Sequence, residues 1–253
     1  MDYIVREKCS EIRALGRMSL RHNWHKVALA VAIFYILVNI LPELLSMLIP
    51  GASYSYYDEM LGETVTYSYV TPVYFALLGS IYNLGMYSYF IFFVRKGEVK
   101  IGHLFDGFRH ILKAIWMSIV IAFFIFLWTL LFVIPGIIAA FRYSQAYLVL
   151  ADHPEYSVRE CMAHSKLYMK QNKGKYFCLG LTFIGWGLLS LIPMFFIPLS
   201  LSGIPLLVAE VVASIPTYYF MAYLFTSQTV FYELVSGNLV AAPKTEQNDE
   251  FDF

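Results

Sequence analysis

Apolar positions along this chain gather into long runs, and the polar ones collect in the short segments between them. A hydrocarbon core about 30 Å thick needs roughly 20 residues of helix to cross it. Six stretches read as spans: residues 27–49, 70–94, 111–134, 137–151, 176–199 and 204–232. The run at 70–94 has no charge and that at 111–134 only Lys113, whereas 137–151 contains Arg142 and 204–232 contains Glu210. Pro216 interrupts the last run and predicts a kink, because proline removes an intrahelical donor. The expected fold is therefore all-α: a polytopic membrane protein with six transmembrane helices arranged as three hairpins, each entered by a basic interfacial segment.

Composition agrees. Of the 253 residues 59% are hydrophobic and only 14% charged, against about 25% charged in soluble domains. Eighteen Lys+Arg balance eighteen Asp+Glu, which leaves no surplus of cations for neutralising phosphates and argues against a nucleic-acid partner. The balance hides an asymmetry. Sixteen of the eighteen basic residues fall before the first span, between the second and third, or between the fourth and fifth; the alternate connections have none. The positive-inside bias then puts both termini and these segments in the cytoplasm. No cleavable secretion signal is expected, since the segment 1–26 is too polar and lacks a small-residue cleavage site. The expected location is the bacterial cell membrane, and the partners to expect there are membrane lipids or another membrane protein. Cys9, Cys161 and Cys178 lie away from the outer loops, so a disulfide framework is not expected.

Within 1–26, Val5, Cys9, Ile12, Leu15, Met18 and His22 recur at helical spacing opposite Arg6, Arg13, Arg17 and Arg21, the pattern of a helix lying in the interface. Ser157 with Glu160 has capping-box spacing, and Val158, Cys161, Met162, Ser165 and Met169 share one face of the helix that would follow. The outer loop from Pro50 to Tyr69 holds five tyrosines, expected at the interfacial belt. The segment 238–253 is acidic and expected to be disordered.

Motifs for chemistry are scarce. Six histidines fall on the cytoplasmic side, but no His-Glu-x-x-His, Cys-x-x-Cys, phosphate loop or nucleophile elbow is present, so no metal, cofactor or catalytic residue is assigned and the chain is not expected to be an enzyme. The charges inside spans are the candidate site. A charge at mid-depth costs about 2.5 to 3.5 kcal/mol on insertion scales, so each needs a partner or water. Arg142 lies six residues past Gly136 and Glu210 seven past Gly203, about 9 to 10 Å from the outer turns at 1.5 Å per residue. Arg142 and Glu210 are thus expected either to pair as a structural ion pair or to form a substrate or proton site, with Glu43 as the other acidic candidate.

Several landmarks occur in order: Leu104-Phe105-Asp106-Gly107-Phe108, Ile134-Pro135-Gly136-Ile137-Ile138 with Arg142-Tyr143-Ser144, Ala151-Asp152-His153-Pro154-Glu155, Ser165-Lys166-Leu167-Tyr168-Met169-Lys170, and Phe183-Ile184-Gly185-Trp186. From about Ser10 to Gly237 the chain resembles the bacterial integral-membrane family called domain of unknown function 975. It departs in placing Gln171-Asn172 where that family usually has glycine directly after the Met-Lys pair. The Ile-Pro-Gly turn and intramembrane arginine are also similar to the membrane domain attached to some glycerophosphodiester phosphodiesterases, whose catalytic domain is missing here. The resemblance implies a six-span bacterial membrane protein and supplies no activity. The expected role is a non-enzymatic scaffold, regulator or accessory subunit; the alternative is a small transporter or lipid-handling protein.

Overall fold

The computed structural model describes residues 3–58, 63–198 and 201–239. Their helices are α1 (Cys9–Leu20), α2 (Trp24–Tyr35), α3 (Leu41–Leu48), α4 (Val70–Lys96), α5 (Ile111–Leu131), α6 (Val133–Tyr143), α7 (Ala146–Asp152), α8 (Val158–Met169), α9 (Lys173–Ser190), α10 (Ile204–Ala213) and α11 (Ile215–Ser236). A π-helical turn, Ile36–Ile40, joins α2 to α3 without a break, and a 3₁₀ segment, Ile101–His110, leads into α5.

Five helical segments are long and apolar enough to cross a membrane: Trp24–Leu48, Val70–Lys96, Ile101–Leu131, Val133–Asp152 and Lys173–Phe196. A sixth follows if Ile204–Ala213 and Ile215–Ser236, bent by 50°, count as one. The bend falls at Ser214 rather than at Pro216. Proline there occupies the first turn of α11, where its missing N–H would have had no intrahelical acceptor.

Helix α4 is the axis of the bundle and packs against α3, α5, α7 and α11. Two glycines let the 3₁₀ segment lie directly on it. A Cβ at Gly85 would stand 1.9 Å from the Leu104 carbonyl oxygen, and one at Gly107 would stand 1.9 Å from that of Ile81. The Leu-Phe-Asp-Gly-Phe landmark is therefore a backbone-to-backbone contact. A similar approach closes the α5–α6 corner, where a Cβ at Gly136 would meet the Thr129 side chain at 2.1 Å.

One end of the bundle gathers the basic segments. Asn23, in the α1–α2 corner, donates to the Gly97 carbonyl at 3.1 Å, and the Lys113 ammonium donates to the carbonyls of Pro154 and Tyr156 at 2.5 and 3.2 Å. Neither amphipathic helix at this end turns its apolar face outward. The α1 face against α9 and α11 is Ile12, Gly16 and Leu20, while Met18 is exposed. Gly16 is included because a Cβ there would meet Ser227 Oγ at 2.6 Å. In α8 the capping box forms, with Glu160 N–H donating to Ser157 Oγ at 3.4 Å and Ser157 N–H to Glu160 Oε2 at 2.7 Å. Val158, Cys161, Met162, Ser165 and Met169 are all buried, against the bundle.

The segment before α1 is tied down as well. Asn172, which caps α9, accepts from Val5 N–H at 3.0 Å and donates to the carbonyls of Tyr3 and Tyr168. Asn172 thus occupies the point where the chain departs from the family pattern.

At the opposite end the tyrosine-rich connection contains an antiparallel hairpin, β1 (Ser53–Asp58) and β2 (Glu63–Ser68), with Tyr54 opposite Tyr67. Tyr54, Tyr56, Tyr67 and Tyr69 stack on one face at 5.5 to 6.2 Å between ring centroids. Ser55 and Thr66 hydroxyls meet at 2.7 Å on the other. The acidic tail from residue 240 lies outside the described residues.

Candidate functional site: a buried charge knot at the basic end

Three chain segments finish their apolar runs on a charged residue: α4 has Arg95 in its last turn, α7 ends on Asp152, and α11 carries Glu233 in its last turn. All three helices run toward the same end of the bundle, so their C-terminal turns meet at one level although the helices differ in length. The Arg95 guanidinium lies between the two carboxylates. Its Nη1 and Nη2 donate to Asp152 Oδ1 and Oδ2 at 2.6 and 2.8 Å. Its Nε reaches Glu233 Oε1 and Oε2 at 2.9 and 3.1 Å. The Tyr232 hydroxyl completes the Asp152 shell, donating to Oδ2 at 2.9 Å. Side-chain exposure is 34% for Arg95, 8% for Asp152 and 2% for Glu233, so the acids are dry and the base is their link to solvent. Bidentate geometry is what a planar guanidinium fork gives and a lysine does not.

The knot carries one positive and two negative charges. His153 Nε2 stands 3.7 Å from Asp152 Oδ2 and its Nδ1 3.1 Å from Glu155. An aromatic column continues from it: His153 stacks on Tyr156 at 4.7 Å, Tyr156 on His164 at 5.3 Å, and Tyr168 sits edge-on to Tyr232 at 6.0 Å. Outside the candidate spans, Glu155 and Glu160 are both held below the usual carboxylate range, each first by a backbone N–H donated to it. Burial pushes the Cys161 thiol up to about 11. Among the described residues no group of three or more His, Cys, Asp or Glu could hold a metal ion.

The candidates taken from the sequence sit elsewhere and do not assemble as expected. Arg142 makes no ion pair among the described residues; its carbonyl accepts from Ser165 Oγ at 2.8 Å, and the same hydroxyl accepts from Gln145 N–H at 3.2 Å. That contact satisfies the break between α6 and α7. Glu43 Oε1 accepts from the Thr71 hydroxyl at 2.9 Å, and Glu210 makes no ion pair among the described residues. Arg142 and Glu210 fail to meet because the outer turns from which their depth was counted are not level. Measured from the knot, Arg142 is ten residues from Asp152, about 15 Å, whereas Glu210 is 23 residues from Glu233, about 30 Å after the bend at Ser214.

Arg95, Asp152 and Glu233 escaped the sequence reading because each stood where a span was taken to stop. A signal was present: acidic residues directly at the ends of two spans, on the side where nearly every other charge is positive.

Two matched segments, residues 4–135 and 129–238, fit the family described as "Protein of unknown function (DUF975)" and together cover the whole bundle. The chain belongs to that family. The two matched segments overlap at the α5–α6 corner, and the family landmarks account for much of the geometry: the Gly107 contact, the Gly136 corner, Asp152 of the knot and Ser165 of the helix break in this DUF975 protein. No curated protein and no solved structure matches the chain.

Cavities in the DUF975 bundle lie on its flanks. One of about 510 Å³ runs between α1, α2, α9 and α11; others of about 460 and 290 Å³ open beside α5 and between α6 and α9.

Proposed function

We propose that this DUF975 protein is a multi-pass component of the bacterial plasma membrane that acts as a non-enzymatic scaffold, regulator or accessory subunit, with its basic end and both termini in the cytoplasm. The reading is carried by the Arg95 knot. A guanidinium shared by two buried carboxylates fastens α4, α7 and α11 at one level, which suits a rigid bundle that presents a fixed face. The centre of the bundle is filled by Tyr89, Phe90, Phe93, Phe231 and Tyr232, all fully buried. Orientation rests on the placement of sixteen of the eighteen basic residues in alternate connections.

A small transporter is the second reading. It is favoured by the position of Glu210 on α10, four residues before the 50° bend at Ser214, since broken helices with polar groups mark transporter sites.

Extraction of the native protein directly into polymer-bounded nanodiscs, followed by mass measurement, separates the two. A partner membrane protein at fixed stoichiometry supports the accessory role. A chain that emerges alone, and that moves solute when reconstituted in liposomes, overturns it. A maleimide probe applied from outside should label Tyr56→Cys and leave Arg109→Cys unlabelled until the membrane is permeabilised; the opposite pattern reverses the orientation.

A further inference from the structure

The groove of about 510 Å³ between α1, α2, α9 and α11 falls within the roughly 300–1,000 Å³ range of ligand-holding cavities. Its walls are aromatic: Trp24, Trp186, Phe220 and Tyr223 line it with Pro216. Gly187 deepens it, since a Cβ there would stand 3.1 Å from the Phe220 ring, so the ring lies close against α9. No acidic residue lines it, and one basic residue does, Arg17.

Arg17 is held but not neutralised. Its Nη1 donates to the Tyr223 hydroxyl at 2.9 Å, and that hydroxyl donates to the Arg13 carbonyl at 3.3 Å. A guanidinium has five N–H donors, and Arg17 makes no ion pair among the described residues. The mouth of the groove is at the basic end, because Asn23, next to Trp24, is bonded to Gly97 beyond the last turn of α4. The floor runs from there along Trp186 and Phe220 toward Pro216.

We propose that this groove binds one phospholipid from the leaflet at the basic end, its phosphate on Arg17 and one acyl chain along Trp186 and Phe220. A planar fork with free donors matches phosphate oxygens, and the apolar length beyond it matches a hydrocarbon chain. The proposal rests on the membrane placement given under the proposed function.

Tryptophan supplies the test. In a W116F/W128F chain only Trp24 and Trp186, both in the groove, remain to fluoresce. In nanodiscs of digalactosyldiacylglycerol, a bilayer-forming lipid without phosphate, with increasing brominated phosphatidylglycerol, their quenching should saturate at low mole fraction. Arg17→Gln should shift half-saturation upward about fivefold, the value of about one basic contact near a lipid surface; Arg21→Gln should not. Brominated diacylglycerol, which lacks the phosphate, should give only the linear response of bulk lipid. Linear quenching by both lipids, or an Arg17→Gln curve that overlays the parent, overturns the proposal. If Arg17→Gln folds poorly, the diacylglycerol comparison in the W116F/W128F chain decides alone. Trp116 and Trp128, on α5, separate the two levels in the unmodified chain. Their quenching without a saturable component in the groove leaves the membrane placement standing and removes the lipid site; no quenching of any tryptophan removes both.

Discussion

Replacing Arg95 by leucine removes the cation from between Asp152 and Glu233 and leaves two carboxylates, 8% and 2% exposed, facing one another without a counterion. Breaking a buried pair by deleting one partner costs about 3–5 kcal/mol, because the remaining charge stays desolvated. For a chain of this size each kcal/mol corresponds to roughly 2–4 °C of melting temperature, so R95L should melt about 10 °C lower in mild detergent, read from intrinsic tryptophan fluorescence. The decisive comparison is the triple variant R95L/D152N/E233Q. Neutral amides remove the uncompensated charge while keeping hydrogen-bonding groups of the same shape, so most of the loss should return, apart from the roughly 1 kcal/mol attached to each imperfect hydrogen bond. Arg95→Lys should fall between, since an ammonium keeps the charge but cannot serve both carboxylates through a fork. A loss below about 1 kcal/mol in R95L, or a triple variant no more stable than R95L, would refute the claim that the knot fastens the bundle.

Other consequences follow from particular contacts. Gly107→Ala and Gly85→Ala each drive a methyl into a carbonyl oxygen at 1.9 Å and should cost about 1–3 kcal/mol or more by overpacking; a melting temperature equal to the parent's in either would contradict the direct contact between α4 and the 3₁₀ segment. Glu160 is depressed by the amide and hydroxyl of Ser157, so its capping contribution is full above the ordinary carboxylate pKa and lost as pH falls through the lower folded value. Amide protection in the first turn of α8 should decline over that acidic window in the parent and be independent of pH there in Glu160→Gln. Cys9 Sγ donates to the Lys175 carbonyl at 3.6 Å, one turn before Cys178 on α9, and burial pushes its thiol up to about 11. Copper-phenanthroline oxidation should therefore join Cys9 to Cys178 and leave Cys161 free; a Cys161 crosslink would contradict the docking of α1 on α9.

Where a stretch of sequence answers to a single requirement, its structure was legible. Long apolar runs must be helical to satisfy their backbone in lipid, and five helical segments long and apolar enough to cross a membrane, or six with the bent pair, fall on them. Ser157 and Glu160 announced the start of α8, and its buried face follows from period alone. Where two requirements compete, legibility fails. In α1, Gly16 counts as neutral in a hydrophobic pattern yet is buried because helices approach closest at glycine, which rotates the packed face away from Met18. In the outer loop, serine and threonine alternating with tyrosine at period two marked a hairpin, but five tyrosines in a row of connections also suit an interfacial belt. The cluster of Arg95, Asp152 and Glu233 was overlooked for a related reason. Arg142 and Glu210 are conspicuous because charges inside spans are rare, while Arg95, Asp152 and Glu233 look like ordinary boundary residues until three helices of different length end at one level.

The account's central claim is that this end is fastened in a single arrangement. Electron–electron distance measurement between spin labels at Lys96→Cys and Glu155→Cys, in lipid nanodiscs on a background without the native cysteines, tests it most directly. One narrow distance distribution, unchanged on varying the lipid and broadened by R95L, is the predicted result. Two distributions exchanging in the Arg95 protein would contradict it and favour a moving transporter.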